Sequence, residues 1–283
     1  MKINRAPNGL CYLHVWRAGT AFESSKGHLL REDWTNIRFA LQPHLRAANV
    51  RTRDVRRGLP LPDNCFDAVY ANHILEHLTP DEGQKFVTEL HRVLKPGGIC
   101  RLVTPDLERS CLEYLNQLRE ASASRSEKNL HRYQLARLDL IDQMVRDVPG
   151  GMMLPILLTR RFDVEYVRFL WGDVFTRYYP DAPRRSLREK IASHSLKELF
   201  FIALRRLQLF WWGNDPRRTA EITKWMYDRL SLQLLLEKCK FVDAVVKDYA
   251  SSDIPDWSRY DFDRSSEGDY PFEPSVYVEG RKQ

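Results

Sequence analysis

The sequence predicts an α/β fold, an open, doubly wound and mostly parallel sheet with helices on both faces and a helical insertion or lid. Three observations carry that expectation. Short apolar runs alternate with helical patterns from Leu10 to about Pro105. Within this stretch, residues 62–104 read in order as turn, strand, helix, tight reversal and strand. Strand patterns then resume after residue 218, so the almost wholly helical stretch before it reads as an insertion and not as an independent domain. The expected organisation is a sheet core over 1–105, a helical insertion over 106–218 and a C-terminal part returning to the sheet over 219–283.

Each element has its own local reason. Cys11–Val15 reads as the first strand and Trp34–Phe39 as the second. FDAVYAN, Phe66–Asn72, follows the turn Pro62-Asp63-Asn64 and reads as a buried strand. Pro80–Leu94 reads as a helix, with Thr79 as its N-cap and Pro80 at the first helical position. Phe86, Val87, Leu90, Val93 and Leu94 share one face at helical spacing. Lys95-Pro96-Gly97-Gly98 ends it, with a glycine available for a left-handed cap, and Ile99–Thr104 is the next strand. The helical middle is broken at Pro149-Gly150-Gly151 and over 180–183. Beyond it come a helix at Leu230–Glu237, a strand from Phe241 to about Tyr249 and a closing strand at Ser275–Glu279.

Composition narrows the function classes. Hydrophobic residues at 43% and charged residues at 29% are those of a soluble globular chain, not a disordered one. A net charge of +6 over 283 residues is mild, and no helix-turn-helix, zinc-finger or RNP-type pattern occurs, so no nucleic-acid partner is expected. The five cysteines form no C-x-x-C pair and no zinc-spaced cluster with histidine. They read as reduced thiols of a cytoplasmic protein, and no metal is expected. No apolar run precedes a small-residue cleavage site at the N-terminus, and no stretch of about 20 apolar residues occurs, so neither a secretory leader nor a membrane span is expected.

Two segments carry a family resemblance. LPLPDNCFDAVYANHILEHL, Leu59–Leu78, and ELHRVLKPGGICRLVTPD, Glu89–Asp106, resemble the core of class I S-adenosylmethionine (SAM) dependent methyltransferases of the type 11 kind, which have a Rossmann-like fold. Thr223–Phe241, Ser251–Trp257 and Pro274–Lys282 resemble a bacterial branch of that superfamily often linked to polysaccharide assembly. The resemblance implies SAM as cofactor, bound at the carboxyl ends of the strands near the topological switch point. It also implies O-methylation of a saccharide, glycolipid-type or other small acceptor. Asp54 resembles the aspartate that accepts from the adenine amino group, with Val55 giving a backbone contact. Asn72 and His73 would face the sulfonium and the acceptor. His73 reads either as a hydrogen-bonded positioning residue or as the general base for an acceptor hydroxyl. Asp106 is the alternative base, or the cap of the helix that starts near Leu107. For Glu76 and His77, capping and packing are expected over a metal site shared with His73. Lys224, Trp225 and Tyr227 of the KWMYD motif would line the acceptor side.

Two positions depart from the family pattern. After the first strand that pattern is close to Leu-His-Leu-Gly-Cys-Gly, whose glycines let the backbone approach the cofactor. Here the run is Leu13-His14-Val15-Trp16-Arg17-Ala18 followed by Gly19, with Trp16 and Ala18 at the glycine positions. At the end of the second strand an acid normally accepts from the ribose hydroxyls, whereas this chain has Arg38, which has donors only. These departures frame a second expectation, a methyltransferase-like pseudoenzyme that works as a binding or scaffolding subunit. A variant of it binds another anion at Arg17 and Arg38. Ser195–Trp212 is unusually apolar, interrupted by Lys197, Arg205 and Arg206. It reads either as a buried helix or as a membrane-surface or protein contact, which would place the chain at the inner face of the membrane.

Overall fold

The computed structural model describes residues 3–17, 32–39, 50–181, 221–265 and 268–283. Ala18, Gly19 and the apolar segment 195–212 lie outside the described residues. Seven strands form one sheet in the order β3-β2-β1-β4-β5-β7-β6. They are β1 (Tyr12–Arg17), β2 (Trp34–Phe39), β3 (Val50–Arg53), β4 (Phe66–Asn72), β5 (Leu94–Thr104), β6 (Phe241–Lys247) and β7 (Val276–Lys282). Strands β1 to β5 pair in parallel, and β7 runs antiparallel between β5 and β6. The chain winds outward from β1 through β2 to β3, then returns to place β4 on the other side of β1. The β1–β4 boundary is therefore the switch point at which a doubly wound sheet opens a crevice.

The helices among the described residues follow their sequence signals. Helix α1 (Pro80–Val93) starts on a complete capping box: Thr79 Oγ1 accepts from the Glu82 amide, and Glu82 accepts from the Thr79 amide. Its apolar face, Phe86, Val87, Leu90 and Val93, is buried. The Lys-Pro-Gly-Gly run corrects the sequence expectation. Leu94 leaves the helix in an extended conformation and already pairs with Phe66. The glycines sit in a bulge within β5, between the Phe66 and Ala68 pairings. Gly97 has φ +79°, and a Cβ on Gly98 would lie 2.9 Å from the Lys95 carbonyl oxygen, so this fold needs both glycines.

Helices α2 (Leu107–Ala123), α3 (Glu127–Val145), α4 (Met153–Thr159) and α5 (Val164–Trp171) follow β5. The last three gather a small core of their own around Leu135, Met153, Leu157, Val167 and Leu170. Helix α6 (Arg229–Lys238) returns the chain to β6.

The sheet buries its two faces differently. On one, Leu13, Val15, Ile37, Val69, Ala71 and Leu102 pack with α1 and α6 in an aliphatic core. The other is aromatic. Tyr12, Trp34 and Tyr70 meet Trp257, Tyr260 and Phe262 from the C-terminal segment. Their rings touch mostly edge to face, with Trp34 and Tyr260 5.4 Å apart at 89°. A cluster of charged groups is buried on this face as well, and its members are paired. Arg101 is fully buried, and its guanidinium donates to Asp263, Glu279 and the carbonyls of Asp248 and Ser251.

Candidate functional site

Register brings three of the expected positions into one row. Trp16 pairs with Arg38 on one side and with Asn72 on the other, so all three lie at the carboxyl edge over the switch point. The row continues to Thr52 on β3 and Val103 on β5. Side chains two apart on a strand share a face, which puts His14 behind Trp16. The indole lies flat on the imidazole, with centroids 4.5 Å apart and planes 6° apart, and the imidazole stacks in turn on Tyr70. Trp16 is thus held against the aromatic face of the sheet.

Arg38 donates to Thr52 Oγ1 from Nη2 at 2.9 Å and from Nε at 3.3 Å. Asp54 caps the 3-10 turn Val55–Arg57, and both of its oxygens take Arg56, at 2.8 and 2.7 Å. That bidentate bond holds the Asp54 carboxyl below its usual range. The side chain of Val55 is buried in the aliphatic core. From Asp54 a ladder of charges runs over the end of α1. Arg56 lies 3.6 Å from Glu82, and Glu82 accepts from Lys224 Nζ at 3.2 Å.

His73 follows β4 directly, with its backbone in the left-handed region at φ 50°. For a non-glycine residue this is uncommon and points to a position fixed by its surroundings. Its ring is buried between acids: Nδ1 lies 3.3 Å from Glu76, Nε2 lies 3.4 Å from Glu273, and Ser275 Oγ also reaches Nε2 at 3.3 Å. Burial opposes the imidazolium, but Glu273 and the bond to Glu76 outweigh it, and the pKa rises to about 9. At neutral pH His73 is therefore a cationic donor. His77 also lies against Glu76, 3.5 Å from the same oxygen, and its Nδ1 donates to the Ile222 carbonyl. Among the described residues no group of three or more His, Cys, Asp or Glu is set to hold a metal ion.

Asp106 caps α2. Its Oδ1 accepts from the amides of Glu108 and Arg109, while burial raises its pKa. Asp106 also bridges Tyr227, whose carbonyl accepts from the Leu107 amide. The KWMYD residues thus reach the end of β5, but they separate in exposure. Tyr227 is buried in the aliphatic core, Lys224 is engaged with Glu82, and Trp225 is 47% exposed. The main chain of this motif docks on the loop after β4, where the Lys224 and Trp225 amides donate to the Glu76 carbonyl.

Three participants escaped the sequence reading. His14 was legible in principle, because His14, Asn36 and Asn72 are polar residues on strands that are otherwise buried. Glu273 and Asp263 come from the C-terminal loop, where no periodicity marks them.

Residues 32–102, which hold β2 through most of β5 and so the β4 side of this crevice, match the family model of a methyltransferase domain. About a quarter of the chain is thus similar to a methyltransferase domain. Curated relatives resemble the chain over short stretches. A probable methyltransferase of Aspergillus luteorubrus is 49% identical over 47 residues, 16% of this chain and 16% of that protein. A probable S-adenosylmethionine-dependent methyltransferase of Mycolicibacterium smegmatis is 45% identical over 67 residues, 22% of this chain and 25% of that protein. The chain therefore covers a quarter or less of these relatives. Among solved structures, a SAM-dependent methyltransferase from Methanosarcina mazei aligns over 100% of this chain and 94% of its own, at 12% identity and a TM-score of 0.39. No helix among the described residues is long and apolar enough to cross a membrane.

Proposed function

We propose that this chain transfers a methyl group from SAM to a hydroxyl of a saccharide or glycolipid-type acceptor. The row Arg38–Trp16–Asn72 over the β1–β4 switch point, flanked by Asp54 and His73, carries the reading. The side chains fit SAM at two of its three polar ends. Asp54 has acceptor capacity for an adenine amino group even with Arg56 bound, since a carboxylate has about four lone-pair sites. Asn72 stands where the sulfonium end would lie. Arg38 does not fit the ribose diol, because a guanidinium cannot accept a hydrogen bond.

SAM, when bound, supplies a methyl group already activated by positive sulfur. The chain has to orient the acceptor, exclude water and take up one proton. Asp106 is the proton acceptor in this reading. Its carboxylate stands at the end of β5, and burial makes it more basic than an exposed aspartate. His73, charged and held between Glu76 and Glu273, positions the acceptor as a donor. The exposed indole of Trp225 offers a flat apolar surface to a sugar ring, with Lys224 fixed beside it by Glu82. The likeness of the C-terminal segments to a branch linked with polysaccharide assembly supports the glycan class of acceptor.

Calorimetric titration with SAM tests the reading. Binding at micromolar to sub-millimolar SAM is expected, and absence of binding at millimolar SAM would overturn it. A second reading, a methyltransferase-like binding or scaffolding subunit, is favoured by one observation: Trp16 packed on His14 and Arg38 held on Thr52 replace the expected glycine and acid. The same titration separates the two.

A further inference from the structure

His14 sits at the centre of the aromatic sheet face, with 1% of its surface exposed. Its neighbours include the rings of Trp16 and Tyr70 and two side-chain amides. Asn36 comes from β2 and Asn72 from β4. Burial holds its pKa down to about 4. The ring is therefore neutral through the physiological range and carries one N–H.

The position of that proton follows from the neighbours. Asn36 commits its NH2 to the Trp34 carbonyl at 2.7 Å, so it turns its oxygen toward His14 Nδ1, 3.2 Å away. Nδ1 must then be the donor, and Nε2 is left with a lone pair. The atom of the Asn72 amide assigned as Oδ1 lies 2.8 Å from Nε2, where an oxygen would face a lone pair. The oxygen and nitrogen of such an amide are assigned by the hydrogen-bond network. A bond to a lone pair requires the NH2 on that side. The Asn72 oxygen then faces away from His14. Because Asn72 pairs with Trp16, two residues beyond His14, that direction is toward the carboxyl ends of the strands. The second polar atom of Asn72 makes no hydrogen bond among the described residues.

We propose that the relay Asn36–His14 orients Asn72 so that its amide oxygen is presented at the carboxyl end of β4, as an acceptor for the cationic sulfonium end of the methyl donor. The orientation rests on the chain's own hydrogen bonds, and the ligand rests on the methyl-transfer reading above. In this scheme Asn72 would touch the methyl donor, and His14 and Asn36 are the positioning residues. The Asn72 oxygen carries partial negative charge where positive sulfur would lie, and that attraction is lost when the sulfur becomes a neutral thioether.

Long-range 1H–15N NMR of the full chain with labelled histidine tests the orientation without any ligand. The expected pattern for His14 is a neutral ring protonated on Nδ1 from about pH 5.5 to 8. A ring protonated on Nε2, or doubly protonated, overturns the orientation. Asn72→Asp supplies a carboxylate that cannot donate to Nε2, so His14 should take up a second proton within the same pH range. A ring that stays neutral in this variant also overturns the relay. The ligand is tested by calorimetry with SAM and with its neutral product, S-adenosylhomocysteine. Asn72→Ala is expected to lose roughly tenfold in affinity for SAM and much less for the product. An unchanged ratio of the two affinities overturns the role at sulfur. If the native chain fails to bind SAM, the methyl-transfer reading falls and takes that role with it, while the ring spectrum still decides the orientation.

Discussion

The guanidinium of Arg101 and the carboxylate of Asp263 form a buried ion pair, with Nη2 2.8 Å from the nearer oxygen. Glu279 lies at the same distance from Nη1, and the rings of Trp257 and Tyr277 flank the cation at 4.8 and 5.0 Å. This cluster ties the C-terminal segment to the centre of β5. Arg101→Met would leave two buried carboxylates without their cation. The expected loss is about 3–5 kcal/mol of unfolding free energy, read from urea denaturation. A loss of less than about 1 kcal/mol would contradict the assignment of this cluster as a lock on the fold.

His73 predicts a stability change on the alkaline side. Its folded pKa of about 9 lies above the ordinary histidine value near 6.5. Its contribution is full below about pH 6.5 and is lost as pH rises through about 9. The melting temperature of the native chain should therefore fall between pH 7 and 9.5, and His73→Gln should flatten that part of the profile. A native profile level across this window would rule out the charged state.

Gly83 and Tyr227 make a testable steric pair. Gly83 is buried in α1, and a Cβ there would stand 2.9 Å from the Tyr227 hydroxyl. In an open helix, glycine to alanine stabilises by roughly 0.5–1 kcal/mol. Here Gly83→Ala should be neutral or destabilising, and the gain should return in Gly83→Ala combined with Tyr227→Phe. A double-mutant cycle that comes out additive would show that the hydroxyl exerts no constraint.

Asp106 separates capping from chemistry. Asparagine caps a helix about as well as aspartate, so Asp106→Asn should unfold like the native chain. If Asp106 takes the acceptor proton, methyl transfer should drop by roughly 100-fold or more with SAM affinity unchanged. Activity assays beside calorimetry decide this, and full activity in the variant would exclude Asp106 as the base.

The two departures from the family pattern can be reversed together. Trp16→Gly removes the indole from the end of β1, and Arg38→Asp restores an acceptor at the end of β2. The double variant should bind SAM at least about tenfold more tightly than the native chain. Equal affinity in calorimetry would mean that neither residue limits the cofactor.

Much of the core was legible because its signals are local. Thr79, Pro80 and the apolar spacing of α1 fix a helix whatever surrounds them. The apolar run of β4 marks a strand, and β2 fell at Trp34–Phe39 as expected. The candidate site positions Trp16, Arg38, Asp54, Asn72, His73 and Asp106 were named from the family motif alone. The glycines after α1 show the limit of local signals. Their residue types predicted a helix cap, but the pairing of Leu94 with Phe66 drew them into a bulge.

The sequence by itself determined which segments are strands and helices, because capping, turn chemistry and hydrophobic period act over a few residues. Only the tertiary structure decided which residues meet. Strand β3, VRTR, has no apolar run and exists through its pairing with β2. His14 acquires its neutral state from a covered sheet face, and His73 its charge from Glu273, 200 positions away in the chain. Sheet register and burial set those contacts, and neither is written in the local pattern of side chains.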